Sequence, residues 1–170
     1  MVPPPTRPIG DDGPVSEYVL PRVPASAGAL LHDGEGSILV LKPTYKSGWT
    51  VPGGQMEEDG ESPWDACRRE VAEETGLTVA AGRLVCVDFL PRRPDRPGGV
   101  RFLFDCGTVG AADRDRIVVQ PGEIEDHRWV TPDEAGRLLS GPVGRRVARA
   151  LGAVHPLYLE DGRPVDGVGG

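Results

Sequence analysis

Between Ser62 and Gly76 the chain specifies one helix from cap to stop, and this segment constrains the fold more than any other. Ser62 is a favoured N-cap, Pro63 suits the first helical position, and Asp65, three residues after the cap, completes a capping box. Gly76 supplies the C-terminal stop. Trp64, Cys67, Val71 and Thr75 recur at helical spacing and form a stripe that has to pack on something. The rest of the chain offers a sheet. Arg22 to Leu31 and Ser37 to Leu41 read as a hairpin around His32-Asp33-Gly34-Glu35-Gly36. Gly48 to Val51 continues the sheet until Pro52-Gly53-Gly54 stops it. Leu84 to Leu90, Val100 to Cys106 and Ile124 to Val130 are further strands, with a breaker-rich loop from Pro91 to Gly99. Thr131 caps a helix running to about Leu139, and Pro142 opens another that ends near Gly152. Hairpin strands interleaved with helices place the chain in the α/β class, with a mixed sheet packed against helices.

Composition sets the limits of that domain. Glycine (24) and proline (18) make up about a quarter of 170 residues, and five of the prolines fall before residue 15. Residues 1–17 are therefore expected to be a flexible N-terminal tail, 18–160 the folded domain, and 161–170 a flexible C-terminal tail. The net charge of −7 argues against binding duplex nucleic acid through an overall positive field. The apolar runs are too short for a membrane span, and the N-terminus lacks the pattern of a secretion signal. Cys67, Cys86 and Cys106 have the spacing of neither a zinc site nor a disulfide framework, so buried thiols in a reducing, cytoplasmic setting are expected.

The acidity is local. Residues 57–74 carry eight acids against Arg68 and Arg69, a net −6 of the chain's −7. Glu70, Glu73 and Glu74 stand at i, i+3 and i+4, on one helix face. Three carboxylates so placed repel one another, and two of them lie where the helix dipole disfavours negative charge. A hard dication such as Mg²⁺ or Mn²⁺ would resolve the conflict through oxygen ligands. A solvated acidic face, partly neutralised by Asp65–Arg69 and Arg69–Glu73 pairs, is the alternative reading of the helix alone.

The flanking residues favour the metal. Gly54-Gln-Met-Glu-Glu-Asp-Gly-Glu61 followed by Arg69-Glu-Val-Ala-Glu-Glu-Thr-Gly-Leu77 resembles the Nudix box, G-x5-E-x7-R-E-U-x-E-E-x-G-U with U aliphatic. Every specified place from Glu61 onward matches. The one departure is a loop of six residues, not five, between Gly54 and Glu61.

The resemblance implies a Nudix-type α/β/α sandwich and metal-dependent hydrolysis of a nucleoside diphosphate linked to another moiety, or of a nucleoside triphosphate. It implies that Glu70, Glu73 and Glu74, with the Gly54 carbonyl, hold Mg²⁺ or Mn²⁺. Glu70 could instead serve as base, with Arg69 orienting it and Glu61 supporting the loop. Many members carry a glutamate six residues before a strand tryptophan. Glu123 precedes Trp129 by six and is nominated as a further ligand or base, with Glu125 as its substitute and His127 beside them. The implied partner is a small nucleotide; a homodimer is the common prior for a soluble oligomer.

Other residues read as structural. Arg92, Arg93 and Arg96 fit a solvated hairpin tip better than a phosphate grip, and Arg145, Arg146 and Arg149 fit the wet face of the last helix. Trp49 and Trp64 fit packing roles. Pro91 falls fourteen residues after Leu77, near the place where ADP-ribose-type members carry a proline; Arg93 occupies the place of the tyrosine of dinucleoside-polyphosphate types. Two competing functions are a nucleotide-sensing module with little turnover, favoured only by the longer loop, and an isopentenyl-diphosphate type isomerase, which needs a thiol facing the box.

Overall fold

The structure, a computed structural model, describes residues 22–168; the expected tail 1–17 lies outside the described residues. The elements in chain order are β1 (Ala25–His32), β2 (Ile38–Pro43), β3 (Gly53–Gln55), α1 (Pro63–Thr75), β4 (Arg83–Leu90) and β5 (Gly99–Thr108). They are followed by a short α2 (Ala111–Arg114), β6 (Ile124–Val130), α3 (Pro132–Leu138), α4 (Gly141–Ala150), β7 (Leu157–Glu160) and β8 (Arg163–Pro164).

The strands form one mixed sheet in the order β6-β2-β1-β5-β4-β7-β8, with β3 attached to β1. The β1–β5 and β4–β7 pairs are parallel and the others antiparallel. Alternation along β1 and β2 divides the core between the two faces. Ala29, Leu31, Leu39 and Leu41 pack with Ala66, Cys67 and Val71 of α1. Leu30, Ile38 and Val40 turn the other way, onto Ala135, Leu139, Val147 and Ala150 of α3 and α4. The result is an α/β/α sandwich.

The helix start and stop follow the sequence. Ser62 accepts the Asp65 N–H, and Gly76 adopts a left-handed φ of 72° with its N–H on the Ala72 carbonyl. Asp65 does not close the box on the Ser62 backbone; its carboxylate takes the Ser62 hydroxyl at 2.6 Å. A glutamate, one methylene longer, does close it at α3, where Thr131 and Glu134 bond reciprocally. No helix among the described residues is long and apolar enough to cross a membrane.

Two expectations are corrected. Pro52-Gly53-Gly54 does not stop the sheet. β1 and β2 pair directly only at His32↔Ile38, then splay, and residues 50–55 enter the gap. Thr50 bridges Leu41 while Gly53 and Gly54 pair with Gly28 and Ala27. The approach requires glycine, since a Cβ on Gly28 would lie 3.0 Å from the Pro52 oxygen and Gly53 has a φ of 141°. The stretch from 161 is also tied into the sheet, through Arg163 and Pro164. β8 pairs with β7, and the Asp161 side chain, 8% exposed as a residue, receives Arg93, Arg96, Arg145 and Arg163.

Candidate active site

The insertion of β3 beside β1 brings the Gly-Gly backbone against the acidic face of α1. The Gly53 N–H donates to Glu74 Oε2 at 2.7 Å. The Glu70 carboxylate lies over Gly54 so closely that a Cβ there would stand 2.6 Å from Oε2. Glu74 is 4% exposed, and burial raises its pKa to about 7 despite the Gly53 bond. Burial also raises Glu70, with Arg69 opposing the shift.

Arg69 organises the rest of the box. Its Nε and Nη2 donate to the two oxygens of Glu61 at 2.8 and 3.0 Å. Nη1 reaches Glu70 at 2.9 Å and Glu73 at 3.1 Å, and Nη2 also donates to the Gln55 carbonyl at 3.0 Å. A lysine could not make this fork. The extra loop residue leaves it undisturbed. Residues 58–60 form an exposed turn, Gly60 takes a φ of 91°, and the Glu57 N–H and Arg69 still meet on Glu61. Hydrogen bonding by Arg69 holds Glu61 below the usual carboxylate range.

Glu70, Glu74, Glu123 and the backbone of Gly53 and Gly54 line a common cavity of about 600 Å³. Glu123 comes from the turn before β6, fixed by its N–H on Gln120 and its carbonyl on Thr44. Glu73 is not in the lining; it is on the exposed side of α1 with Arg69. Glu125 points instead toward Lys42 at 3.9 Å, and His127 does not reach the cavity. None of the three cysteines reaches it either.

The donor set fits a hard dication in chemistry: three carboxylates and a glycine backbone, all oxygen donors, in a recessed acidic place. Among the described residues no three of these groups already stand close enough together to hold an ion. Arg69 donates to Glu70 and the Gly53 N–H to Glu74, so a cation at these two carboxylates would have to displace or share those donors.

The same cavity also holds cationic side chains that the sequence did not place there. Lys46, Arg96, Arg101 and Arg146 line it, with Tyr45, 70% exposed, at the rim. Arg146 is not on a wet face. It is 9% exposed and paired with Asp88, which is 0% exposed. Arg145 turns to Asp161, as do Arg93 and Arg96, so the loop tip, though exposed at residues 92–95, is anchored by ion pairs. The available signal was a charge at an inward position of an apolar strand: Asp88 faces Arg101 across β4 and β5, on the side of Leu103 and Leu159. Trp64 packs edge-on against Phe104, and Trp49 lies under Arg128.

Known proteins resemble this chain over most of its length. A MutT-like protein of Streptomyces ambofaciens is 30% identical over 130 residues, covering 76% of this chain and 77% of its own length. An NAD-capped RNA hydrolase NudC of Pseudomonas putida (strain W619) is 31% identical over 131 residues, and the match spans 77% of this chain but only 44% of that protein. The solved MutT protein of Methanosarcina mazei Go1 superposes with a TM-score of 0.58 at 26% identity, covering 68% of this chain and 82% of that one. The family model described as NUDIX domain matches residues 22–151, taking in the acidic helix, the β1–β3 crossing and the cavity lining. The chain belongs to the Nudix hydrolase family.

Proposed function

We propose that this chain hydrolyses the diphosphate linkage of a nucleoside diphosphate derivative or nucleoside triphosphate, using Mg²⁺ or Mn²⁺. The observation that carries the reading is the single cavity whose lining combines Glu70, Glu74 and Glu123 with Lys46, Arg96, Arg101 and Arg146. An anionic substrate can engage Lys46 and the arginines, and neutralising the acids removes a repulsion that weakens its binding. Glu70 and Glu74, with the Gly54 carbonyl, would hold the cation, and Glu73 could join once released from Arg69. When bound, the ion neutralises diphosphate charge and acidifies an attacking water.

The chain's own residues do the remaining work. Arg69 fixes the Glu70 rotamer and charge. The Gly53 N–H orients Glu74. Glu123, anchored by its backbone, is placed either to complete the ligand set or to accept a proton from water. Lys46, whose pKa is lowered by desolvation, offers a short-range cation to the leaving phosphate. The three free thiols support a reducing, cytoplasmic setting.

A panel of nucleoside diphosphate derivatives and triphosphates, assayed with and without Mg²⁺, tests this reading. Wild type is expected to release a monophosphate from at least one compound only with the metal. Glu74→Gln, which keeps an acceptor for Gly53 but cannot ionise, is expected to lose about 100-fold or more in kcat/KM with little change in Tm. Equal activity in the variant would remove Glu74 from the site.

A further inference from the structure

The cationic lining of the cavity carries more positive charge than its partners neutralise. Arg146 is matched by Asp88, which also accepts the Gly162 N–H at 2.9 Å. Asp161 is shared among Arg93, Arg96, Arg145 and Arg163, and one carboxylate cannot balance four guanidiniums. Arg101 has no carboxylate partner among the described residues. Its guanidinium donates only to the carbonyl oxygens of Pro24, Val100 and Gly98, at 3.4, 3.1 and 3.2 Å. Desolvation, reinforced by Arg146, lowers its pKa, as expected of a half-buried cation short of anions. Close by, the Arg96 side chain bonds only Asp161, through Nη2 at 2.6 Å, and its buried Nε has no acceptor among the described residues, so this guanidinium too is short of partners.

We propose that Arg101 and Arg96 form a subsite for a terminal phosphate of the substrate, one that lies outside the scissile linkage. The planar guanidinium fork suits a phosphate dianion, and a cavity of about 600 Å³ is of a size to take a nucleotide with its acidic and basic groups engaged together. This inference rests on the hydrolase reading and narrows it. The favoured substrates end in a free phosphate, as nucleoside triphosphates and 5′-triphosphorylated oligonucleotides both do, in preference to a nucleoside diphosphate joined to a neutral sugar.

Two measurements separate this subsite from the hydrolase reading. The first is steady-state kinetics with Mg²⁺ on a nucleoside triphosphate, a 5′-triphosphorylated oligonucleotide and a nucleoside diphosphate sugar. Arg101→Gln is expected to raise KM at least about tenfold for whichever triphosphate-ended substrate turns over, the loss of one charge-assisted bond, and to raise KM for the sugar by a clearly smaller factor. Arg101→Lys, which keeps the charge without the fork, is expected to fall between and serves if the glutamine variant fails to fold. Equal effects on every substrate, or none on any, would overturn the subsite. The second is calorimetric titration of the metal-free protein with inorganic tripolyphosphate. Saturable binding is expected in wild type and in Glu74→Gln, and at least tenfold weaker binding in Arg101→Gln. No saturable binding would overturn the subsite even if hydrolysis occurs. Arg101-dependent binding in a wild type with no turnover would uphold the subsite and defeat the hydrolase reading.

Discussion

Arg69 and Gly54 show how a single side chain, or its absence, sets the chemistry. Arg69 touches Glu61, Glu70 and Glu73 together, so the carboxylates that repel on sequence grounds are held by one cation within the helix's own reach. Gly54 contributes by having no side chain, since the Glu70 carboxylate fills the space a Cβ would need. Gly54→Ala is therefore expected to push Glu70 out of its contact with Arg69. We expect kcat/KM to fall about tenfold or more while Tm moves by only a few degrees, read by steady-state kinetics beside a thermal melt. Full activity in the alanine variant would show that the Glu70 position is not needed.

At the scale of elements, α1 stands on a cap whose contribution can be isolated. Ser62 accepts the Asp65 N–H outside the cavity, so Ser62→Ala should remove about 1 kcal/mol and lower Tm by about 2–4 °C, with kcat unchanged. Differential scanning calorimetry with a parallel activity assay checks it. The same cap was legible in the sequence because capping is a local affair of a few residues. So were the stripe of Cys67 and Val71 and the Gly76 stop, which depend on near neighbours. The insertion of β3 was not legible, because Pro52-Gly53-Gly54 has the composition of a breaker and becomes a strand only against Gly28, some two dozen residues earlier. The roles of Arg101, Arg145 and Arg146 were hidden for the same reason. Asp88 and Asp161, their neighbours, arrive from β4 and from beyond β7, and no spacing rule links such distant positions. Glu123 was found only through its distance from Trp129; its place in the cavity depends on the long-range tie between Thr44 and Glu123.

For the whole molecule, one part of the pH response traces to Asp161. Hydrogen bonding by Arg96, with Arg93 and Arg145 adding to it, holds its pKa below the ordinary carboxylate value. A depressed acid contributes stability that is complete above its unfolded pKa of about 4 and is lost as pH falls through the lower folded value. Asp161→Asn is thus expected to be clearly less stable than wild type at pH 7, with the difference shrinking below about pH 4. Urea unfolding at pH 7 and at pH 3 checks it; a gap of the same size at both would show that the carboxylate charge is not what holds the arginines. The loop arginines, the α4 arginine and the last strand reach that carboxylate from three distant stretches of chain. Fraying at the outermost strand would therefore free guanidiniums to compete for the incoming ligand. Trimming or tagging that end is expected to alter substrate preference and to lower the melting temperature together.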